Sequence, residues 1–354
     1  MSADAPQATA RPSNRSTSAT IPPFIIRYLI AVTDDLGVDL RPALAHVGLD
    51  ETLLTSADLR VSYRQGSEVI RRALKLTGID HLGLEVGARQ HPAAWGLIGF
   101  ALMAADTLGT AVETGVRFQN LSGAMVVWSA GQADDGFTLW ADLPDPAVDP
   151  GVGTFLVQEA FASVTTVTRF TLGDFRPRRV DFAFPAPPDT APFADLFRCP
   201  VRFSAPRNGF VFPAGSVRTE MPSRDPVTYA STLAVLESQV ASRRSRQDLL
   251  EVLEISVAQS LPSVPTFAEQ ARRQATGERT LRRRLAECGT TYEALVDGVR
   301  RERVEQLLRQ PELTLTDITR RTGFSDVRAL RRAIRRWHDM TPLQLRGTVL
   351  DQDD

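Results

Sequence analysis

The chain has 354 residues, 43% hydrophobic and 23% charged, which is ordinary for a globular protein of roughly two or three domains. Its net charge of −1 hides a division: residues 264–346 hold 18 arginines and 11 acidic residues, a net of +7, and the rest carries −8, which indicates a polyanion partner for one part of the chain. The longest apolar run, 95–105, is too short for a membrane span, and the single lysine, Lys75, excludes a Walker A phosphate loop.

The first part of the chain has mainly helical spacing. Residues 1–20 are rich in Ser, Thr, Ala and Pro, which predicts a disordered tail. Helical spacing begins near Pro23, and Thr107 is expected to cap a helix that runs to about Asn120. The other helical stretches in this part are 41–47, 62–76 and 81–89, and a longer apolar stretch follows at 95–105.

The pattern then becomes mixed. Two β-rich runs, 124–129 and 137–143, flank an Asp-Asp-Gly segment at 131–136, which predicts a hairpin. A helix is predicted at 154–171, followed by short strands at 179–184, 201–204 and 209–212. Together these elements predict an α+β domain at 21–220 for effector sensing or self-association, and a linker with a connecting helix at 221–246.

From 247 onward the spacing is helical only, which predicts an all-α domain at 247–346 and leaves an acidic tail at 347–354. Within residues 326–337, an apolar stripe alternates with arginines, and Ser325 is expected to be the N-cap with Asp326 at the positive end of the helix dipole. A short helix at 315–322 and the turn Gly323-Phe324 precede it. This order predicts a helix-turn-helix unit.

The same order occurs earlier in the domain. A short helix at 267–275 and the turn Thr276-Gly277 precede a basic helix at 278–287, whose Leu281 and Leu285 are predicted to face inward. Between the two units, residues 291–309 form a helix of about 28 Å at ~1.5 Å per residue, close to the ~34 Å repeat of the B-DNA major groove. The inward stripe of this linker helix is Tyr292, Leu295, Val296, Val299, Leu307 and Leu308.

Two segments carry a resemblance to a known family. They read RTLRRRLAECGTTYEALVDGVRRERVEQLL and LTLTDITRRTGFSDVRALRRAIRRWHDMTPLQLR, and residues 267–346 resemble the DNA-binding domain of AraC/XylS regulators. The resemblance implies two helix-turn-helix units that each place one helix in the major groove, and it implies activation of transcription. The chain departs from the usual pattern at Gly277, Thr319, Arg328 and Asp339, and Leu330 and Ile334 replace two phenylalanines.

The N-terminal part carries a second resemblance. The segments AWGLIGFALMAADTLGTAVETGVRF and DLFRCPVRFSAPRNGFVF are similar to the arabinose-binding-type N-terminal domain of many such regulators. This similarity says nothing about the ligand, and the helix-then-sheet order differs from an all-β sugar-binding barrel. The sequence assigns no effector-binding residue; the aromatic and methionine candidates for a pocket are Trp95, Phe100, Met103, Phe118, Trp128 and Trp140.

These observations together predict a multidomain cytoplasmic regulator, an α+β sensor domain followed by a tandem helix-turn-helix domain. Its expected partners are promoter DNA, RNA polymerase, a small-molecule effector and possible self-association as a homodimer. No cofactor is expected, and the four histidines are not at metal-ligand spacing, so no metal is expected either. The expected DNA-binding residues are Arg279, Thr280, Arg282, Arg283, Arg328, Arg331, Arg332 and Arg335.

Two other readings stay open from the residues alone. The N-terminal domain of a constitutive DNA-binding regulator could be an interaction module without a ligand. An enzyme with an AraC-like domain, a DNA-repair alkyl transferase, would need an activated cysteine, but no histidine lies near Cys199 or Cys288 in sequence, so buried structural thiols are expected. Trp337 lies on the apolar stripe of its helix and is expected to pack in a core.

Overall fold

The computed structural model describes residues 21–56, 59–133, 136–145 and 147–350. The chain divides into two compact units, Met1–Ser238 and Gln239–Asp354. The predicted disordered tail, 1–20, lies outside the described residues. No helix among the described ranges is long and apolar enough to span a membrane.

The first unit is α+β, as the sequence predicts. Thr107 caps its helix by accepting a hydrogen bond from the Thr110 backbone N–H, and Ser62 forms a capping box with Gln65. The apolar stretch at 95–105 is divided between the end of a 3₁₀ turn, Pro92–Trp95, and a separate helix, because Gly96 between them has φ +60°. The helices are α1 Phe24–Asp35, α2 Arg41–His46, α3 Glu51–Leu54, α4 Tyr63–Thr77, α5 Leu82–Ala88, α6 Leu97–Ala104, α7 Leu108–Arg117, α8 Pro150–Leu172 and α9 Ala191–Phe197.

One sheet of five strands, in the order β1-β2-β5-β3-β4, completes the first unit. The predicted hairpin is present, and β1 continues into the segment predicted as its loop, because Ala133 pairs with Gly136. Only β3 and β4 are parallel among the described pairs. The strands are β1 Val127–Ala133, β2 Gly136–Asp142, β3 Arg179–Asp181, β4 Val201–Arg202 and β5 Gly209–Val211.

Helix α8 is the centre of the first unit's core. It buries Phe155, Leu156 and Phe161 against the sheet and the surrounding helices. Helix α5 approaches it closely at two glycines: a Cβ on Gly83 or Gly87 would lie 2.3 Å from the backbone oxygen of an α8 residue. Without those glycines the helices would have to separate, since such a contact is far inside van der Waals distance.

Helix α10, Pro226–Ser260, covers both the predicted linker and the start of the predicted C-terminal domain. Its last turns contribute Leu249, Leu253 and Val257 to a core of the second unit. The second unit is helical throughout its described residues, as predicted, and helix α16 continues to Leu350, inside the segment predicted as an acidic tail. Its other helices are α11 Phe267–Arg273, α12 Glu278–Glu287, α13 Tyr292–Leu308, α14 Leu315–Thr322, α15 Val327–His338 and α16 Pro342–Leu350.

Candidate nucleic-acid interface

Helices α11 and α12 form the first helix-turn-helix unit. Thr266 and Glu269 make a capping box that starts α11, while α12 begins at Gly277 without a side-chain cap. Leu281 and Leu285 of α12 are buried, as the spacing predicts. Burial of that stripe fixes which face of α12 remains exposed.

The exposed face of α12 carries the residues predicted for DNA contact in this unit: Arg279, Thr280, Arg282 and Arg283. The guanidinium carbon of Arg282 lies 5.1 Å from the centroid of the Phe267 ring, which orients this side chain before any DNA arrives. Arg283 makes a loose ion pair with Glu287 at 3.8 Å. Such an exposed pair contributes little stability, so Arg283 can exchange it for a phosphate.

Helices α14 and α15 form the second unit. Thr314 and Asp317 make the capping box of α14, and Gly323 makes the turn with φ +73°. A Cβ at Gly323 would lie 2.2 Å from the carbonyl oxygen of Pro262, so only glycine fits there without displacement of the backbone.

The N-cap of α15 is Asp326, not the predicted Ser325. The carboxylate Oδ1 of Asp326 accepts a hydrogen bond of 2.7 Å from the Ala329 backbone N–H. A carboxylate at this position satisfies an N–H at the helix start and also interacts favourably with the helix dipole. The hydrogen bond holds the pKa of Asp326 below its usual range.

The second basic helix is strongly divided between its faces. Leu330 and Ile334 are fully buried in the unit's core. The other predicted contact residues are exposed, and within the described part of the chain their guanidinium groups make no hydrogen bond or close ion pair, although Arg332 interacts electrostatically with Asp326: Arg328, Arg331, Arg332 and Arg335. These guanidinium groups are therefore available for a polyanion.

Helix α13 joins the two helix-turn-helix units through two separate cores. Leu295, Val296 and Val299 belong to the core of the first helix-turn-helix unit, together with α10, α11 and α12. Val304 and Leu307 belong to the core of the second helix-turn-helix unit. With 17 residues, α13 is about 25 Å long at ~1.5 Å per residue, and its two halves fix the positions of both basic helices.

Several residues that hold this arrangement were not singled out from the sequence. The Nη2 atom of Arg300 in α13 donates to the Gly323 carbonyl at 2.9 Å, and its guanidinium carbon lies 5.2 Å from the Phe324 ring centroid. Arg346 donates to the Leu313 carbonyl at 2.7 Å. An arginine count cannot separate these two from the exposed ones, because the distinction depends on which tertiary carbonyl lies within reach.

The two cysteines are half-buried and free. Burial raises the pKa of the Cys199 thiol to about 11, and it also raises the pKa of Cys288. Both therefore stay as thiols near neutral pH, which is the opposite of the activation that a nucleophilic cysteine needs.

Comparison with known families agrees with this geometry. The family model described as the arabinose-binding domain of AraC transcription regulator, N-terminal, matches residues 37–221, more than half of the chain. The chain belongs to the AraC family of transcription regulators. A helix-turn-helix domain model matches residues 270–348 of this AraC-family chain, which include α12, α13, α14 and α15.

The similarity to individual proteins covers between 44% and 93% of the chain. It is 25% identical over 331 residues to the ornithine utilization regulator of Pseudomonas aeruginosa, covering 93% of this chain and 97% of that one. It is 33% identical over 158 residues to the regulator VirS of Mycobacterium tuberculosis, covering 44% and 46% of the two chains. The crystal structure of the regulator CdpR from P. aeruginosa matches with 25% identity and a TM-score of 0.47, covering 92% and 98%.

The AraC-family chain is thus a DNA-binding transcriptional regulator rather than an enzyme. Its two helix-turn-helix units and the family models lead to the same conclusion independently.

Proposed function

We propose that this regulator binds promoter DNA sequence-specifically, with α12 and α15 in successive major grooves, and activates transcription in response to a small effector. The main support for this proposal is that α13 packs into both helix-turn-helix cores and so fixes two exposed basic helices on one rigid element. Helix α13 is about 25 Å long at ~1.5 Å per residue, a length that suits two reading helices near successive major grooves on one face of B-DNA, where the groove repeats every ~34 Å.

The arginines of both helices supply the contacts. Arginine reads guanine through O6 and N7 and also binds phosphates without regard to sequence. The contact residues in the proposal are Arg279, Thr280, Arg282 and Arg283 in α12, and Arg328, Arg331, Arg332 and Arg335 in α15.

The effector response is proposed for the first unit. It contains a cavity of about 120 Å³, partly open to solvent and with largely apolar walls, which favours a ligand over a purely protein-binding role. The relative named as an ornithine utilization regulator supports a link to small-molecule metabolism. Exposed apolar side chains on the same unit, Phe100 and Phe170, suit self-association as a homodimer. Contact with RNA polymerase completes the proposed activation.

The test measures where the regulator binds DNA and how it changes transcription. Genome-wide mapping of bound DNA identifies the sites, and a reporter driven by one such site measures transcription with and without the regulator. We expect binding that weakens steeply with salt, because neutralising phosphates releases counterions. Equal affinity for mapped and scrambled DNA at every salt concentration contradicts sequence-specific recognition, and reduced reporter output contradicts activation.

A further inference from the structure

The cavity of the first unit contains a polar cluster in an otherwise apolar lining. Its walls come from α1, α6, α7, α8, the hairpin and the 3₁₀ turn Pro92–Trp95, and include Trp95, Leu102, Val112 and Trp128. Among the described residues that line it, Glu159 is the one ionisable side chain. Of the six aromatic and methionine candidates from the sequence, Trp95, Met103 and Trp128 line this cavity.

The hydrogen bonds around Glu159 have a fixed direction. The indole Nε1 of Trp95 donates to the Gln90 Oε1 at 3.0 Å, and an indole can only donate. The amide of Gln90 must therefore present its Nε2 to Glu159, whose Oε1 accepts a short hydrogen bond from it. Oε2 has no hydrogen-bond partner within the described residues and remains for a ligand.

The close packing of α5 on α8 builds this cluster. Gly87 lies against the backbone of Glu159 itself, and Gln90 follows two residues after the end of α5. Glu159 is only 6% exposed, and no cationic side chain compensates it. An ionised carboxylate in such a position is unfavourable, so the group either keeps its proton or binds a partner that donates hydrogen bonds or carries positive charge.

We propose that this cavity binds a small hydrophobic amine, whose ammonium group donates to Glu159 Oε2 while its apolar body lies against Trp95 and Trp128. The cavity, at about 120 Å³, is slightly smaller than the apolar cavity of about 150 Å³ that accommodates benzene, but it is partly open to solvent, so a ligand with one small ring fits with part of its body in the opening. The aromatic walls favour a cation over a neutral group. A carboxylate ligand is disfavoured because no Arg, Lys or His is among the described lining residues.

This inference rests on the proposed effector role and deepens it, and the test uses the full-length protein without DNA. Calorimetric titration compares probes of similar size that differ in charge: benzylamine, benzyl alcohol and benzoate, with cyclohexylmethylamine and phenethylamine as further amines. We expect the best amine to bind at least about tenfold more tightly than benzyl alcohol, because charge-assisted hydrogen bonds are the stronger ones, and benzoate to bind weakest.

Two variants locate the binding. Glu159→Gln keeps the acceptor for Gln90 and should weaken amine binding by about tenfold or more while leaving the alcohol nearly unchanged. The matched control is Glu113→Gln, the same substitution at an exposed position of α7, which should bind the amine like the wild type. Gly115→Leu projects a side chain into the cavity from α7 and should abolish binding of both amine and alcohol.

Each result decides one point. The inference is overturned if no amine binds, or if Glu159→Gln binds the amine as tightly as the wild type. It is also overturned if benzoate binds most tightly. Ligand-free DNA binding, measured on the same preparations, reports the proposed function separately. If amines bind through Glu159 without changing reporter output, the inference holds and the proposed effector response is wrong.

Discussion

The carboxylate of Asp297, in the helix that joins the two helix-turn-helix units, accepts a hydrogen bond of 2.7 Å from the indole Nε1 of Trp337 in the second basic helix. Its other oxygen accepts from Arg336 Nη2 at 2.6 Å. One side chain of α13 therefore holds the C-terminal end of α15. Trp337 also packs 6.1 Å from the ring of Phe324, so its predicted role as a core residue holds, with an added polar anchor.

Replacement of Asp297 by alanine should weaken the attachment of α15 to α13 more than it lowers the stability of the second helix-turn-helix unit as a whole. The bond to the indole is charge-assisted and half-buried, and its loss should lower the free energy of unfolding by about 1–2 kcal/mol. The pair with Arg336 is mostly exposed and adds little. Urea unfolding measures the stability, and titration with operator DNA measures the expected loss of affinity.

Two single substitutions act as controls for this effect. Trp337→Phe keeps the aromatic ring but removes the N–H, and should reproduce most of the loss of Asp297→Ala. Arg336→Ala removes the exposed ion pair with Asp297 and the guanidinium that lies 5.7 Å from the Trp337 ring centroid, and it should change stability by less than about 0.5 kcal/mol. A larger effect of Arg336→Ala than of Trp337→Phe would show that the exposed ion pair, and not the indole, holds the helix.

A cavity in the core that the linker helix α13 shares with α10 and α12 should destabilise the first helix-turn-helix unit. Leu295 is 6% exposed and packs with α10 and α12. Leu295→Ala should cost about 2–5 kcal/mol and should also reduce operator affinity, because the first basic helix loses its support. Glu293→Ala, at an exposed position of the same helix, is the control. Thermal unfolding that gives equal melting temperatures for both variants contradicts the assignment of Leu295 to the core.

The comparison of sequence and structure shows which features local rules can predict. The bounds of α12 and the inward position of Leu281 follow from spacing, since a periodic apolar stripe is a local property. The N-cap of α15 was missed by one residue, because Ser325 and Asp326 are both good caps and backbone direction decides between them. Glu159 was missed altogether: its role depends on Gln90, 69 positions away in sequence, which no helical pattern connects to it.

Asp339 offers a test of backbone strain. It ends α15 in the left-handed region with φ +53°, where a glycine is more stable than a residue with a Cβ. Asp339→Gly should therefore raise the free energy of unfolding by up to about 1 kcal/mol. Gly323→Ala, the reverse exchange at φ +73° and against the Pro262 carbonyl, should destabilise strongly. Urea midpoints measure both, and a loss of stability in Asp339→Gly contradicts the strain argument.

The stability of the first unit should depend on pH through Glu159. Burial raises the pKa of this carboxyl from its usual 4.5 to about 7, so the folded state binds a proton that the unfolded state has already lost. Its unfolding free energy should therefore fall as pH rises from about 4.5 to 7, by about 3 kcal/mol relative to Glu159→Gln. Thermal unfolding across this range measures the difference, and parallel curves for the two proteins contradict it.

The two basic helices should contribute differently to DNA binding. Helix α12 offers a mixed set with a hydroxyl, Thr280, and an arginine oriented by Phe267, while the exposed basic face of α15 is almost entirely guanidinium. We expect α12 to carry more of the sequence discrimination and α15 more of the general affinity. Arg282→Ala should cost about 1–3 kcal/mol on operator DNA and little on scrambled DNA.

Arg332→Ala is the matched change in the second helix. It should weaken operator and scrambled DNA by similar factors and lower the slope of log affinity against log salt by about one unit, because one phosphate contact is lost. Titrations of both variants on both DNAs across a salt series measure these effects. If Arg332→Ala removes discrimination while Arg282→Ala leaves it intact, the roles of the two helices are reversed, and the exposed arginines of α15 read the bases.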